Sequence, residues 1–280
     1  MVFEFPQIAL RSGDALDRFG VGTYKLENDE AERIVAAAIE LGYRHIDTAK
    51  LYRNEEGVGR AVKQAIDAGK VQREELFITS KLWHDDHLQA EKALEGSLER
   101  AGLDYLDLFL IHWPTPKRGT APTAWKGLIR AQERGLVRNI GVSNFEILHL
   151  EQIISETGIV PAVNQIELHP HHQRRELVDY CRALGIVVEA WSPLARGRAT
   201  LLQDSAVTAA ANAHGKTPAQ IVLRWHVQHD FVVFPKTRSV ERLKENAAIF
   251  DFELTTAEMT ALDALERAEA SGSNPFEMNG

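Results

Sequence analysis

Short apolar blocks alternate along the whole chain with longer stretches whose apolar positions recur every three or four residues. The short blocks read as strands: Phe19 to Gly22, Tyr43 to Asp47, Leu76 to Ser80, Tyr105 to Ile111, Val137 to Val142, Ala162 to Asn164, Ile186 to Ala190 and Phe231 to Phe234. They are apolar nearly throughout rather than alternating, as strands are when both faces of a parallel sheet are covered. The longer stretches read as helices over Asp29 to Leu41, 55 to 68, Leu88 to Ala101, Ala124 to Arg134, 146 to 156, Arg174 to Leu184, Thr217 to Gln228, 239 to 247 and 256 to 267. Asn54 and Thr217 read as N-caps, Pro218 as a first helical residue and Gly185 as a helix stop. Near the N-terminus, Phe5 to Leu10 and Ala15 to Arg18 flank the turn Arg11-Ser12-Gly13-Asp14. Eight strand–helix units with short connections and no linker predict one domain over residues 1–280. The expected fold is α/β: a (β/α)8 TIM barrel with an N-terminal β-hairpin capping the barrel bottom. An open doubly wound sheet is the competing architecture, and the lack of a glycine-rich first turn counts against it.

Composition narrows the setting. At 280 residues and 44% hydrophobic, the chain is close to the roughly 250 residues of an ordinary barrel and can bury a large core. Its single cysteine, Cys181, excludes an internal disulfide framework and fits a reducing compartment, so a cytoplasmic location is expected. The opening MVFEFPQ lacks the pattern of a signal peptide, and no apolar run is long enough for a membrane span. A net charge of −8 argues against a nucleic-acid surface, though not against one anionic cofactor held by a few local cations.

The candidate chemistry lies at the strand ends. Asp47, Lys81, His112, Ser143-Asn144, Gln165, Trp191 and Lys236 each follow a predicted strand, and in a barrel they converge on one mouth. Tyr52 stands in the loop just beyond Asp47. Asp47, Tyr52, Lys81 and His112 suit proton transfer to a carbonyl. A free tyrosine titrates near about 10. A neighbouring Lys81 ammonium is expected to lower that value, with Asp47 holding the lysine charged and His112 steering the carbonyl oxygen. Such groups polarise a carbonyl but supply no electrons, so a hydride donor is implied. No usual nucleotide fingerprint is present: Gly20-Val21-Gly22 and Gly57-Val58-Gly59 lack a third glycine. Side chains must then hold the cofactor. Trp191 offers a stacking face, Ser143, Asn144 and Gln165 offer partners for a carboxamide, and Lys236, Arg238 and Arg242 offer a phosphate site at a helix start.

These residues resemble the aldo-keto reductase family, and the likeness runs from about Phe3 to Leu265. It is carried by GYRHIDTAKLYRNEEGVG, FITSKLW, LDLFLIHWP, RNIGVSNF, PAVNQIELHP, WSPLARG and FPKTRSVERLKEN, in the family's order and spacing. HWPTP and HGKTPAQIVLRWH further liken it to the bacterial 2,5-diketo-D-gluconic acid reductases within that family. The resemblance implies NADPH/NADP+ bound in extended form, with Tyr52 as general acid, Asp47 and Lys81 as its tuning partners and His112 orienting the carbonyl. It implies the nicotinamide on Trp191 with its amide at Ser143, Asn144 and Gln165, and Gly22 and Thr23 beside the cofactor. Ser192, Pro193, Leu194, Arg196 and Gly197 would follow the pyrophosphate. Lys236, Thr237, Arg238 and Arg242 would take the 2′-phosphate region, and Glu245 and Asn246 the adenine. Tyr24, Lys50, Trp83, His112 and Trp113 would line the substrate pocket, with the 274–276 tail nearby. Lys50 reads equally as a magnet for a substrate carboxylate or as a solvated loop lysine.

Three features depart from many relatives. Trp191 stands where many carry tyrosine, the segment Thr237-Arg238-Ser239 places its basic residue differently, and the loop Pro114 to Thr123 and the tail are short. The short loop and tail imply an open pocket with broad tolerance. The expected activity is NADPH-dependent reduction of aldehydes, dicarbonyls or keto sugars by a monomer with small-molecule partners. Two other classes compete: a cofactor-sensing binding protein, and a barrel metal hydrolase built on His169, His171 and His172. No metal is expected, because those histidines follow a loop rather than a strand.

Overall fold

A computed structural model describes residues 2–278. Met1, Asn279 and Gly280, the ends of the expected 1–280 domain, lie outside the described residues. β1 (Gln7–Ala9) and β2 (Ala15–Asp17) pair antiparallel as the anticipated hairpin. Eight parallel strands follow: β3 (Gly20–Gly22), β4 (His45–Asp47), β5 (Phe77–Leu82), β6 (Leu106–Ile111), β7 (Val137–Ser143), β8 (Val163–Glu167), β9 (Val187–Trp191) and β10 (Val232–Val233). They are ordered as in the sequence. The ring closes through the parallel pairings Phe19–Val233 and Gly22–Lys236. This is the (β/α)8 barrel expected from the alternating pattern.

Helices pack around the ring: α1 (Asn28–Glu40), α2 (Glu55–Asp67), α3 (Ala90–Ala101), α4 (Ala121–Glu133), α5 (Ile147–Thr157), α6 (Arg175–Ala183), α7 (Ala199–Leu202), α8 (Ser205–His214), α9 (Pro218–Gln228), α10 (Val240–Ala247) and α11 (Thr256–Asp263). α4 begins three residues earlier than expected, because Pro122 fits the first turn, where its missing N–H costs nothing. α7 and α8 were not anticipated. α8 is an alanine-rich run opened by Asp204, whose carboxylate accepts from Ala206 N at 3.1 Å. Thr217 caps α9 as expected, within a reciprocal capping box with Gln220. Asn54 stands at the α2 N-cap position but does not cap with its side chain. Its amide instead accepts from Thr48 Oγ1 and donates to the carbonyls of Thr23 and Leu26.

Period-two alternation explains both the core and the site. Ile46, Ile78, Leu82, Phe109, Ile111, Ile166 and Val188 turn outward into the large cluster beneath the helices. Phe77, Leu108, Leu110, Val163, Val187 and Val232 turn inward, where they join Leu10 and Leu16 of the hairpin and close the barrel bottom. The residues in phase with them nearer the mouth are polar. Gly57 and Gly59 of α2 serve this packing and no nucleotide. A Cβ at Gly57 would lie 2.0 Å from the Asn28 carbonyl oxygen, and one at Gly59 would lie 1.8 Å from that of Ala101.

Candidate active site

Asp47 ends β4, Lys81 lies inside β5 and Gln165 inside β8, all on the inward phase. The expectation that Lys81 and Gln165 follow their strands is therefore corrected: β5 ends at Leu82 rather than Ser80 and β8 at Glu167 rather than Asn164. Both strands run further, which draws these side chains into the barrel. Lys81 Nζ donates to both Asp47 carboxylate oxygens at 2.7 Å, and to the Thr48 carbonyl at 2.9 Å. It lies 3.3 Å from the Tyr52 hydroxyl. A short 3₁₀ turn over Lys50–Tyr52 delivers the phenol to this point. Burial pushes Asp47 up and Lys81 down, and their contact opposes both shifts.

The anticipated lowering of the Tyr52 pKa is not found. Burial raises it well above the ordinary tyrosine value, and the Asp47 charge and Tyr24 add to the rise. Lys81 does not offset the burial because it is clasped by Asp47, so the phenol meets a nearly neutral pair rather than a bare cation. His112 packs edge-on to Tyr52 (5.8 Å between ring centres) and to Trp83 (5.2 Å). Burial, aided by the Lys81 and His84 charges, pushes its pKa well below the ordinary value, so the imidazole is neutral. Its Nδ1 is buried without a protein partner.

Trp191 ends β9 and donates from Nε1 to Asn144 Oδ1 at 2.8 Å. Asn144, in the left-handed region at φ 62°, donates to the His112 carbonyl at 2.9 Å, and the Ser143 hydroxyl donates to that of Gln165 at 2.8 Å. A flat aromatic face beside this hydroxyl–amide set fits a nicotinamide ring and its carboxamide. Thr23 is buried and gives its hydroxyl to the Asp47 carbonyl at 2.9 Å, while Gly22 has no room for a Cβ, which would lie 2.7 Å from the Phe234 carbonyl oxygen. Past Trp191, Ser192, Ala195, Arg196 and Gly197 all have positive φ, so Pro193 and Leu194 ride in a tightly turned loop.

Lys236 and Arg242 are exposed, and Ser239 opens α10 by accepting from Arg242 N at 3.3 Å. Thr237 is buried and accepts from Ser239 N at 3.0 Å. Arg238 turns away from the other two: its guanidinium donates to the Lys25 carbonyl at 2.9 Å and lies 3.3 Å from Glu30. Glu245 accepts from Thr217 at 2.9 Å, and Asn246 is buried beside it.

At the rim, Tyr24 is 46% exposed and its ring lies 5.0 Å from that of Tyr52. Trp83 is half-buried and Trp113 is buried. Lys50 is ion-paired with Asp86 and its side chain keeps 38% of its surface exposed, so the pair engages the ammonium without choosing between the two readings. His169, His171 and His172 do not converge. His169 faces Glu167 at 3.3 Å, whereas His171 lies 3.9 Å from Asp204. Among the described residues, no group of three or more His, Cys, Asp or Glu is placed to hold a metal ion.

Two features escaped the sequence reading. Glu189 of β9 lies buried beside Gln165, and its signal was a lone charge inside the apolar block IVVEAW, in inward phase with Trp191. The other is the latch that holds the C-terminal tail at Ser271 and Gly272, just before the expected 274–276 segment. Glu167 accepts from Ser271 N at 2.7 Å, from the Ser271 hydroxyl and from Gly272 N at 2.9 Å. This lays Gly272 on Trp191 so closely that a Cβ there would stand 2.3 Å from the indole ring.

The Aldo/keto reductase family model matches residues 17–267. The chain is 45% identical to methylglyoxal reductase DkgA of Salmonella typhimurium over 273 residues, 98% of each protein. It is 47% identical to glyoxal reductase of Bacillus subtilis over 274 residues, 97% of this chain and 96% of the other. Among solved structures it resembles Gox0644 in its apo form, with TM-score 0.91 and 39% identity, covering 97% of this chain and 98% of that one. It also resembles Bombyx mori aldo-keto reductase in complex with NADP, with TM-score 0.90 and 37% identity, covering 96% and 95%. The chain belongs to the aldo/keto reductase family.

Proposed function

We propose that this chain is an NADPH-dependent reductase that converts small aldehydes and α-dicarbonyls, methylglyoxal and glyoxal among them, to alcohols. The observation that carries this reading is the Tyr52 hydroxyl 3.3 Å from a Lys81 ammonium clasped by Asp47, with the neutral His112 ring beside it. When bound, NADPH supplies a hydride to the carbonyl carbon. The oxygen gains electron density as it does so, and Tyr52 gives it its phenolic proton. A raised pKa keeps Tyr52 loaded with that proton across the neutral range. The phenolate left behind is steadied by Lys81, and His112 donates a hydrogen bond that orients the carbonyl. Trp191, Ser143, Asn144 and Gln165 would hold the nicotinamide end, the 192–197 loop the pyrophosphate, and Lys236 with Arg242 the 2′-phosphate. Glu245 and Asn246 would hold the adenine.

The reaction acts on the CH–OH group of the alcohol in the reverse direction, and the chain works as a cytoplasmic monomer with no macromolecular partner. Names of relatives support dicarbonyls over keto sugars. The deciding experiment pairs NADPH titration of the protein with NADPH oxidation on methylglyoxal, for the natural chain and Tyr52→Phe. Tyr52→Phe should bind NADPH normally and lose roughly 10²–10⁴ in kcat. Tight NADPH binding without turnover of any carbonyl would instead support the cofactor-sensing reading.

A further inference from the structure

The reduction described above gives Glu189 no part, yet it is fully buried in the barrel, one hydrogen bond from the site. Gln165 Nε2 donates to Glu189 Oε2 at 2.9 Å and to Asp47 Oδ2 at 2.9 Å. A side-chain amide carries both of its hydrogens on nitrogen and only acceptors on oxygen. Asp47, held ionised against Lys81, can only accept. The nitrogen must therefore be the inner end of Gln165, and both of its hydrogens are spent there. Among the described residues, no protein donor bonds to Gln165 Oε1, which remains as a fixed acceptor.

We propose that Glu189 is a positioning residue: it takes the second hydrogen of Gln165 Nε2, so that the amide oxygen is held ready for a ligand that brings an N–H. The nicotinamide carboxamide is such a ligand, and this inference rests on the cofactor reading above. Without Glu189, one amide hydrogen is orphaned and Gln165 keeps the Asp47 bond alone, which still fixes the end that points inward but lets the amide plane swing about that single contact. The groups facing Glu189 are Gln165 of β8, Asp47 and His45 of β4 and Lys81 of β5, with His45 Nε2 at 3.9 Å. Burial raises its pKa to about 8, the Gln165 bond opposing and Asp47 adding to the rise, while Lys81 opposes it. At neutral pH it is a neutral acid that still accepts through Oε2. It thus adds no third charge to the Asp47–Lys81 pair.

The test uses two variants and two cofactors, with binding read by tryptophan quenching. E189M removes the acceptor, whereas E189Q keeps an amide oxygen in its place. NADPH is compared with its 3-acetylpyridine analogue, in which a methyl group replaces the carboxamide nitrogen. E189M should weaken NADPH binding about tenfold, the loss of one buried hydrogen bond, and leave the analogue nearly unchanged. E189Q should keep the natural chain's ratio of the two Kd values. Equal weakening of both cofactors in E189M, or no weakening of either, overturns the proposal. If E189M does not fold, E189Q decides alone, since a changed ratio contradicts the retained acceptor. Failure of the natural chain to bind NADPH would bring down the cofactor reading itself, and is told apart by that control.

Discussion

Asp47 presents both carboxylate oxygens to Lys81 Nζ at 2.7 Å, deep in the barrel where both side chains are buried. Burial keeps Tyr52 a protonated donor, and the clasp sets beside it a cation whose field is largely offset by its own partner.

Asp47→Asn keeps the shape of that clasp and removes its charge. It leaves Lys81 as an unpaired buried ammonium, which burial already drives toward the neutral form. Breaking such a pair costs about 3–5 kcal/mol of folding stability, to be seen as an earlier urea midpoint. kcat should fall by one to two orders of magnitude while NADPH binding holds.

The three basic residues near α10 are not equivalent. Arg242→Ala and Lys236→Met should each weaken NADPH roughly tenfold and leave NADH binding unchanged, as expected for a charge-assisted phosphate contact. Arg238→Ala should change the NADPH:NADH ratio far less, because its guanidinium is committed to Glu30 and the Lys25 carbonyl.

Glu167 ties tail stability to pH. Burial would raise its pKa, but hydrogen bonds from His169, Ser271 and Gly272 outweigh burial and hold it at about 2, against an ordinary 4.5. The sign follows: a depressed acid contributes stability above pH 4.5 and loses it as pH falls through about 2. Amide exchange at Ser271 and Gly272 should therefore rise as pH falls through that window, relative to a peptide control. Glu167→Gln should show the faster exchange already at pH 7.

Gly272→Ala probes the other end of the tail. The added methyl would stand 2.3 Å from the Trp191 ring, so either the tail lifts or the indole shifts. Tryptophan emission should move, and NADPH should bind several-fold more weakly. Unchanged emission and affinity would remove Gly272 from any influence on Trp191.

Much of this was legible from residue pattern. The strand–helix alternation named the barrel because each buried parallel strand is a nearly continuous apolar block. The same blocks pointed to Asp47, Lys81, His112 and Trp191, since polar side chains there have no packing reason. What stayed hidden depended on phase or distance. The polarity of Glu189 had to be read together with the inward alternation of β9. The Lys50–Asp86 pair joins two loops, and the Glu167 latch spans about a hundred residues of chain. The Tyr52 pKa was misjudged because the sequence shows Lys81 nearby but not how deeply the barrel mouth buries the phenol, which is the largest cause of the rise. α7 and α8 were passed over because small alanine-rich turns carry no strong apolar stripe.

The hairpin at the foot of the barrel carries a last consequence. Leu10 and Leu16 plug the floor against Phe77, Leu108 and Val232, so the molecule is a cup rather than a pipe. Whatever arrives over the rim must depart over the same rim. Throughput is then a matter of taking turns at one doorway, and a lingering product obstructs the next arrival however fast the chemistry runs.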